Sequence, residues 1–171
     1  MDFNICEFTE KDAKDICEWR YDSPYDVYNY PDWETINQQK WGMSDEVKRK
    51  TEFYAIRNGK DLIGFFRFVK NEDLVMLGLG VIPKMCGCGL GEHVMDNIKK
   101  VFVERYPNDM LCLEVRSFNI RAIKCYEKAG FIAKDKCFKN TPMGSAEFIL
   151  MELLNDYENN DYYKNIKKDS L

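Results

Sequence analysis

One stretch of the chain concentrates groups able to hold an anion. Leu77-Gly78-Leu79-Gly80-Val81-Ile82-Pro83-Lys84-Met85-Cys86-Gly87-Cys88-Gly89-Leu90-Gly91 reads as strand, tight turn, glycine-rich loop and helix start. Glycines let the main chain approach a ligand closely and adopt positive φ. The loop amides and the first helical N–H groups then point at that ligand, and the helix dipole favours negative charge. A phosphorylated ligand is the natural occupant; the structural alternative is a turn needed only for packing. The spacing Gly87-x-Gly89-x-Gly91 is not the Gly-x-Gly-x-x-Gly dinucleotide fingerprint. It also lacks the Gly-Lys-Ser/Thr ending of a nucleotide P-loop. Both departures count against a nucleotide-binding regulator. The thiols of Cys86 and Cys88 raise a metal or redox reading, but His93 is the only histidine, and no second cysteine pair stands at zinc spacing. No metal is expected. A helix N-terminus beside the two thiols predicts a lowered thiol pKa and reactivity there.

The rest of the composition frames this segment. The chain has 171 residues, 45% of them hydrophobic and 32% charged, with a formal net charge of −4. That length suits one domain with a real core. The acidic balance lacks the basic excess of a nucleic-acid binder. The longest apolar run, Leu74 to Ile82, is nine residues and too short to span a bilayer. Neither nucleic acid nor membrane is therefore an expected partner. An odd count of seven cysteines with no signal peptide predicts free thiols in a reducing, cytoplasmic compartment.

Strand and helix signals alternate along the chain. Residues 2–8 read as a strand. Thr9 and Asp12 form a capping pair for a helix over 10–20. A second helix is expected from Trp33 to Trp41, ended by Gly42. Glu52 to Arg57 and Leu62 to Lys70 read as strands about an Asn58-Gly59 turn. Leu74 to Val81 is almost continuously apolar, which predicts a central strand buried on both faces. A helix from Gly89 to Arg105 follows, with Leu90, Val94, Ile98, Val101 and Phe102 on its apolar face. Leu111 to Arg116 is a strand, Asn119 caps a helix over 120–129, and Gly130 ends it. Phe131 to Phe138 and Glu147 to Leu154 read as the last strands. Residues 155–171 turn polar and form a tail.

The segment after the fifth strand adds specificity. Asn119, Ala122, Tyr126, Lys128, Gly130 and Phe131 match the Asn-x-x-Ala-x-x-x-Tyr-x-Lys-x-Gly-Phe pattern of the GCN5-related N-acetyltransferase (GNAT) superfamily. The stretch Cys86 to Gly91 is similar to that family's acetyl-CoA loop, Arg/Gln-x-x-Gly-x-Gly/Ala. The resemblance covers residues 1–154. It implies an α/β (α+β) fold: a mixed, mostly antiparallel seven-stranded sheet flanked by helices, with strands four and five splayed around acetyl-CoA. It further implies that the main chain of Leu79, Gly80 and Val81 bonds the pantetheine arm. The amides of Cys86, Gly87, Cys88, Gly89, Leu90 and Gly91 would take the pyrophosphate, and Asn119 would also reach the cofactor. Tyr126 would protonate the departing thiolate after direct attack by an amine in a ternary complex; its alternative role is that of a core aromatic. Cys86 departs from the family pattern, and Lys84 is a nearby cation able to compensate.

The family often carries a general-base glutamate on strand four, where this chain is apolar. Glu114 on strand five is the candidate base, or else an exposed carboxylate paired with a neighbouring cation. His93 reads as a surface or packing residue. The family walls its acceptor site with the segment after the first helix, which here holds Tyr21, Asp22, Tyr25, Asp26, Tyr28, Tyr30, Asp32, Trp33 and Glu34. Rings and carboxylates together favour cations. Tyr25, Tyr28 and Trp33 thus become candidate contacts for a polyamine, an aminoglycoside-like amine or a basic peptide terminus. The alternative is a loop packed by its own aromatics. By analogy with relatives, a homodimer is possible. The expected activity is acetyl transfer from acetyl-CoA to a primary amine of a small molecule or peptide. The competing reading is a non-catalytic acyl-CoA-binding or sensing domain on the same fold.

Overall fold

A computed structural model describes residues 3–141 and 144–154. The polar tail expected over 155–171 lies outside the described residues. Seven strands form one sheet in the order β1-β2-β3-β4-β5-β7-β6. They are β1 (Asn4–Glu7), β2 (Phe53–Asn58), β3 (Asp61–Asn71), β4 (Leu74–Val81), β5 (Met110–Arg116), β6 (Phe131–Thr141) and β7 (Gly144–Leu153). Every neighbouring pair is antiparallel except β4 and β5, which run parallel. The mostly antiparallel seven-stranded sheet expected from the resemblance is therefore present.

Among the described residues five α-helices flank the sheet: α1 (Glu10–Cys17), α2 (Trp33–Gln38), α3 (Glu46–Glu52), α4 (Gly91–Arg105) and α5 (Ile120–Lys128). Helix α1 starts with the expected capping box, Thr9 and Asp12 each bonding the other's main-chain N–H. Asp12 is also buried and paired with Arg57. Asp45 caps α3 through the Lys48 amide, 3.0 Å. The sequence reading missed α3 because it has no apolar stripe; its one aliphatic residue, Val47, is exposed. Helix α2 is shorter than expected. Lys40 takes a left-handed φ of 53°, which stops the helix before Trp41 and leaves Gly42 no capping role. Helix α4 starts at Gly91 rather than Gly89, because Gly89 has a φ of +78° that no α-helical residue adopts.

Two cores form on opposite sides of the sheet. Against α4 and α5, Phe66, Phe68, Val75, Leu77, Leu111 and Leu113 meet Val94, Met95, Ile98 and Phe102. Against α1 and α2, Phe53, Ala55 and Phe65 meet Phe8, Ala13, Ile16 and Ile36. Strand β4 was expected to be buried on both faces and is not. Val75 and Leu77 are buried toward α4, whereas Gly78 is exposed and Leu79 to Val81 are half-buried. The reason is its neighbour: β4 and β5 pair only from Leu74↔Met110 to Leu77↔Leu113. Beyond that level the strands part, and the last turn of β4 borders open space.

Candidate active site

The parting of β4 and β5 opens a cavity of about 760 Å³. The antiparallel ladder fixes which main-chain groups face it. Ile82 N–H donates to Ile63 O across β3, 2.9 Å, so alternation turns the groups of Gly80 to β3, which corrects its assignment to the pantetheine arm, and those of Leu79 and Val81 toward the gap. The Val81 carbonyl is occupied: it accepts from the Tyr21 hydroxyl at 2.8 Å and from the Cys86 thiol at 3.5 Å. The N–H groups of Leu79 and Val81 are left facing the gap.

The loop after β4 is a short 3-10 turn, Pro83–Met85, followed by glycines. Gly87 and Gly89 hold φ values of +81° and +78°, the region where side chains are strained. The amides of Cys86 and Cys88 are spent inside the loop on Pro83 O and Met85 O, which corrects their assignment as phosphate donors. Cys88 does not line the cavity, whereas Cys86, Gly87, Gly89, Leu90 and Gly91 do. The amides of Gly87, Gly89 and Leu90 have no acceptor among the described residues, and the first turn of α4 has no side-chain cap. Together they form a cluster of unsatisfied donors at a helix N-terminus. Gly91 packs closely on α5: a Cβ there would sit 2.4 Å from the Cys125 sulfur, which would have to turn away.

The Cys86 thiol differs from expectation. Burial pushes the Cys86 thiol up, against the weaker pull of Arg121, so Cys86 is a capped, protonated group and not an activated nucleophile. No group of three or more potential metal ligands occurs among the described residues. Lys84 does not line the cavity. The cations that do so on this side come from α5: Arg121, Lys124 and Lys128. Arg121 lies next to Cys86 and Gly87, with its guanidinium 4.6 Å over the Tyr25 ring. No motif marked Arg121; its signal was its place on the first turn of α5, beside Cys86 in space but distant from it in sequence.

Asn119 caps α5 as expected, its side-chain oxygen accepting from Ala122 N–H at 3.2 Å. Its amide nitrogen donates to the Tyr28 hydroxyl at 3.1 Å. Asn119 thus ties α5 to the aromatic segment as well as lining the cavity. Tyr126 points into the cavity with its ring 6.2 Å from Phe131. Its hydroxyl has no hydrogen-bond partner among the described residues. Burial, with Cys125 and Tyr28 nearby, pushes this phenol above the ordinary tyrosine range, so it stays protonated at neutral pH.

On the opposite face, Gly78 and Gly80 leave β4 without side chains. Across the gap, Glu114 and Arg116 project from β5 on the side away from the buried Leu113 and Val115. Both oxygens of Glu114 accept from the Lys139 ammonium at 2.6 Å. Tyr21, Tyr25, Tyr28, Tyr30 and Trp41 supply the rings. Burial pushes Tyr30 up to about 12. Tyr25 and Tyr28 line the cavity, their rings tilted against Phe118. Trp33 does not: helical spacing turns it toward α1 with Ile36, under the Lys14 ammonium at 5.4 Å. Trp41, freed by the early end of α2, lines the cavity in its place.

The carboxylates of this segment are elsewhere too. Asp22, Asp26 and Glu34 are exposed, and Asp32 caps α2 through Thr35, 2.8 Å. The expected cage of rings and acids is therefore a cage of rings. His93 is exposed on α4.

Comparison with known proteins agrees with this geometry. No curated protein matches the sequence. A chimera of spermidine N-acetyltransferase SpeG from Vibrio cholerae and hSSAT has a TM-score of 0.76 at 15% identity, over 94% of this chain and 100% of that one. The ribosomal-protein-S18-alanine N-acetyltransferase from Escherichia coli has a TM-score of 0.58 at 22% identity, over 89% of this chain and 93% of that one. At such identities the likeness concerns the fold. The model of the Acetyltransferase (GNAT) family matches residues 13–131. With a splayed parallel pair, a glycine loop of unsatisfied amides and a cavity tyrosine at the motif position, the chain belongs to the GNAT acetyltransferase family.

Proposed function

We propose that the chain transfers an acetyl group from acetyl-CoA to a primary amine by direct attack in a ternary complex. The reading rests on one observation above all: the free N–H groups of Leu79 and Val81 and the unbonded Tyr126 hydroxyl face the same gap. The donor's shape and charge fit the residues present. An extended arm would lie along β4 as an added strand. The amides of Gly87, Gly89, Leu90 and Gly91 would take the pyrophosphate, with Arg121 supplying the cationic contact that Cys86 cannot.

Acetyl-CoA supplies the activated acyl group as a thioester. The Val81 N–H is aimed to hold the carbonyl oxygen as negative charge grows on it. Tyr126 keeps its proton at neutral pH and gives it to the departing sulfur. Glu114 receives the proton of the incoming ammonium. Leu77 pairs with Leu113, so Glu114 stands one residue past the last pair, level with Gly78. It supplies from β5 the carboxylate that β4 lacks.

Solved neighbours are named as N-acetyltransferases of spermidine and of a ribosomal-protein alanine, and both acceptors are amines. Calorimetric titration with acetyl-CoA, ATP and NAD tests the donor, and thiol release with an amine panel tests the transfer. Acetyl-CoA should bind and the nucleotides should not. Failure of acetyl-CoA to bind overturns the reading. Binding without turnover of any amine leaves the sensing domain as the better description.

A further inference from the structure

The acceptor arm of the cavity carries a charge pattern that a polyamine does not match. Among the described residues, two carboxylates line the cavity, Glu92 and Glu114, and each already has a lysine, Lys128 and Lys139. Arg67 also lines it, balanced by Glu52 at 2.7 Å. Arg116 differs. It is half-buried, its guanidinium lies 5.2 Å from the Phe148 ring, and it donates to the Thr141 hydroxyl at 3.4 Å. No carboxylate pairs with it among the described residues. A partly desolvated guanidinium in a cavity, without a counter-ion, is a site for an anionic group.

Strand geometry sets where that anion would lie relative to the amine. Glu114 and Arg116 are two residues apart on β5 and share a face, so their Cα atoms are about 6.6 Å apart. Glu114 is already shown to hold an ammonium, because Lys139 bonds both its oxygens. An ammonium at Glu114 and a carboxylate at Arg116 are the two ends of an α-amino acid, with one charge-assisted hydrogen bond at each. Phe148 beside Arg116 and Tyr28 in the same cavity are aromatic and suit an apolar side chain.

Building on the acetyl-transfer reading, we infer that the acceptor is an α-amino acid with an apolar or aromatic side chain, recognised through its carboxylate by Arg116. Lys139 leaves Glu114 when the acceptor's ammonium enters. It sits on the exposed edge of the sheet, so releasing it costs little. The ammonium gives one proton to Glu114, and the free amine bonds to the acetyl carbon while the thioester C–S bond breaks. The sulfur takes the Tyr126 proton, and the second proton shed by the new amide nitrogen restores the phenol.

The test uses the whole chain and three matched amines, phenylalanine, phenylalaninamide and phenethylamine, with spermidine alongside and thiol release as readout. Phenylalanine should exceed phenethylamine in kcat/KM by about 10- to 100-fold, the worth of a charged hydrogen-bonded contact. Arg116→Met should lower kcat/KM for phenylalanine at least tenfold more than for phenethylamine, and Arg116→Lys should restore part of the difference. Equal turnover of phenylalanine and phenethylamine, a preference for spermidine, or an equal fall for all amines in Arg116→Met would overturn the inference. If no amine turns over, acetyl transfer fails first, and calorimetry decides the rest. Phenylalanine should still bind the CoA-loaded protein and lose that binding in Arg116→Met. Absence of binding, or binding indifferent to the substitution, overturns the carboxylate site.

Discussion

The two ends of the cavity are made of different material. The donor end is main chain: the free amides of Leu79 and Val81, the donors of the glycine loop and the first turn of α4. Glycines keep the loop itself bare, and the side chains beside it are the cations of α5, Arg121, Lys124 and Lys128. The acceptor end is side chain: rings from the 3-10 turn Tyr25–Tyr28, Trp41 and two charged residues of β5. Main-chain donors present the same geometry whatever their side chains, which suits a donor that does not vary. A wall of side chains can be re-cut one residue at a time without disturbing the sheet.

That contrast can be broken experimentally, beginning with the groups at the seam. Tyr126→Phe removes one oxygen from the cavity and no packing. It should lower kcat by about 10²- to 10⁴-fold, the usual range for a positioned proton donor, while calorimetry finds acetyl-CoA affinity unchanged. Because burial holds the phenol above its ordinary range, no fall in kcat from loss of its proton should appear below pH 10.

The support of the acceptor wall is the next largest effect. Asp12→Ala strips α1 of its capping box and leaves Arg57 facing a buried hole. About 2–4 kcal/mol of stability should be lost, the helix cap and a charged hydrogen bond together, read from urea denaturation. The donor end has its own weak point at Gly91. Gly91→Ala brings a Cβ to 2.4 Å from the Cys125 sulfur. It should cost about 1–3 kcal/mol, largely recovered in the double variant with Cys125→Ala.

Stability should also fall on the alkaline side. Burial raises the thiols of Cys17 and Cys112 from 9.0 to about 11. The unfolded chain releases these protons near pH 9, while the folded chain holds them to about pH 11. Their contribution is therefore complete below pH 9 and declines through that window. Melting temperature measured from pH 8 to 10.5 should drop, less so in Cys17→Ala. The smallest effect concerns Lys139. Lys139→Gln frees Glu114 from a competing ammonium, and the acceptor's KM should fall about two- to fivefold, as expected for an exposed ion pair.

The donor end was readable in the sequence because main-chain sites need glycine and a helix start, both of which leave a fixed spacing. The motif from Asn119 to Phe131 worked in the same way: Asn119 caps α5, and Gly130 takes the left-handed φ that ends it. The acceptor end was not readable. Asp22, Asp26, Asp32 and Glu34 are close to the tyrosines in sequence, but turn geometry sends them to solvent or to a cap. The exchange of Trp33 for Trp41 depended on a left-handed Lys40, a conformation that lysine does not advertise. Arg121 and Arg116 owe their positions to tertiary placement and to strand alternation beside a gap. Neither carries a motif.

Val81 O has two lone pairs, and each is assigned to a different side of the molecule. One takes the Tyr21 phenol from the acceptor wall, and the other takes the Cys86 thiol from the donor loop. A single oxygen thus acts as a rivet between two segments that are distant in sequence. If the loop shifts as phosphates settle on its amides, the thiol's grip on that oxygen changes, and the phenol feels the change through it. Affinities measured at the two ends should then not be independent, and a thermodynamic cycle combining Tyr21→Phe and Cys86→Ala would measure the exchange.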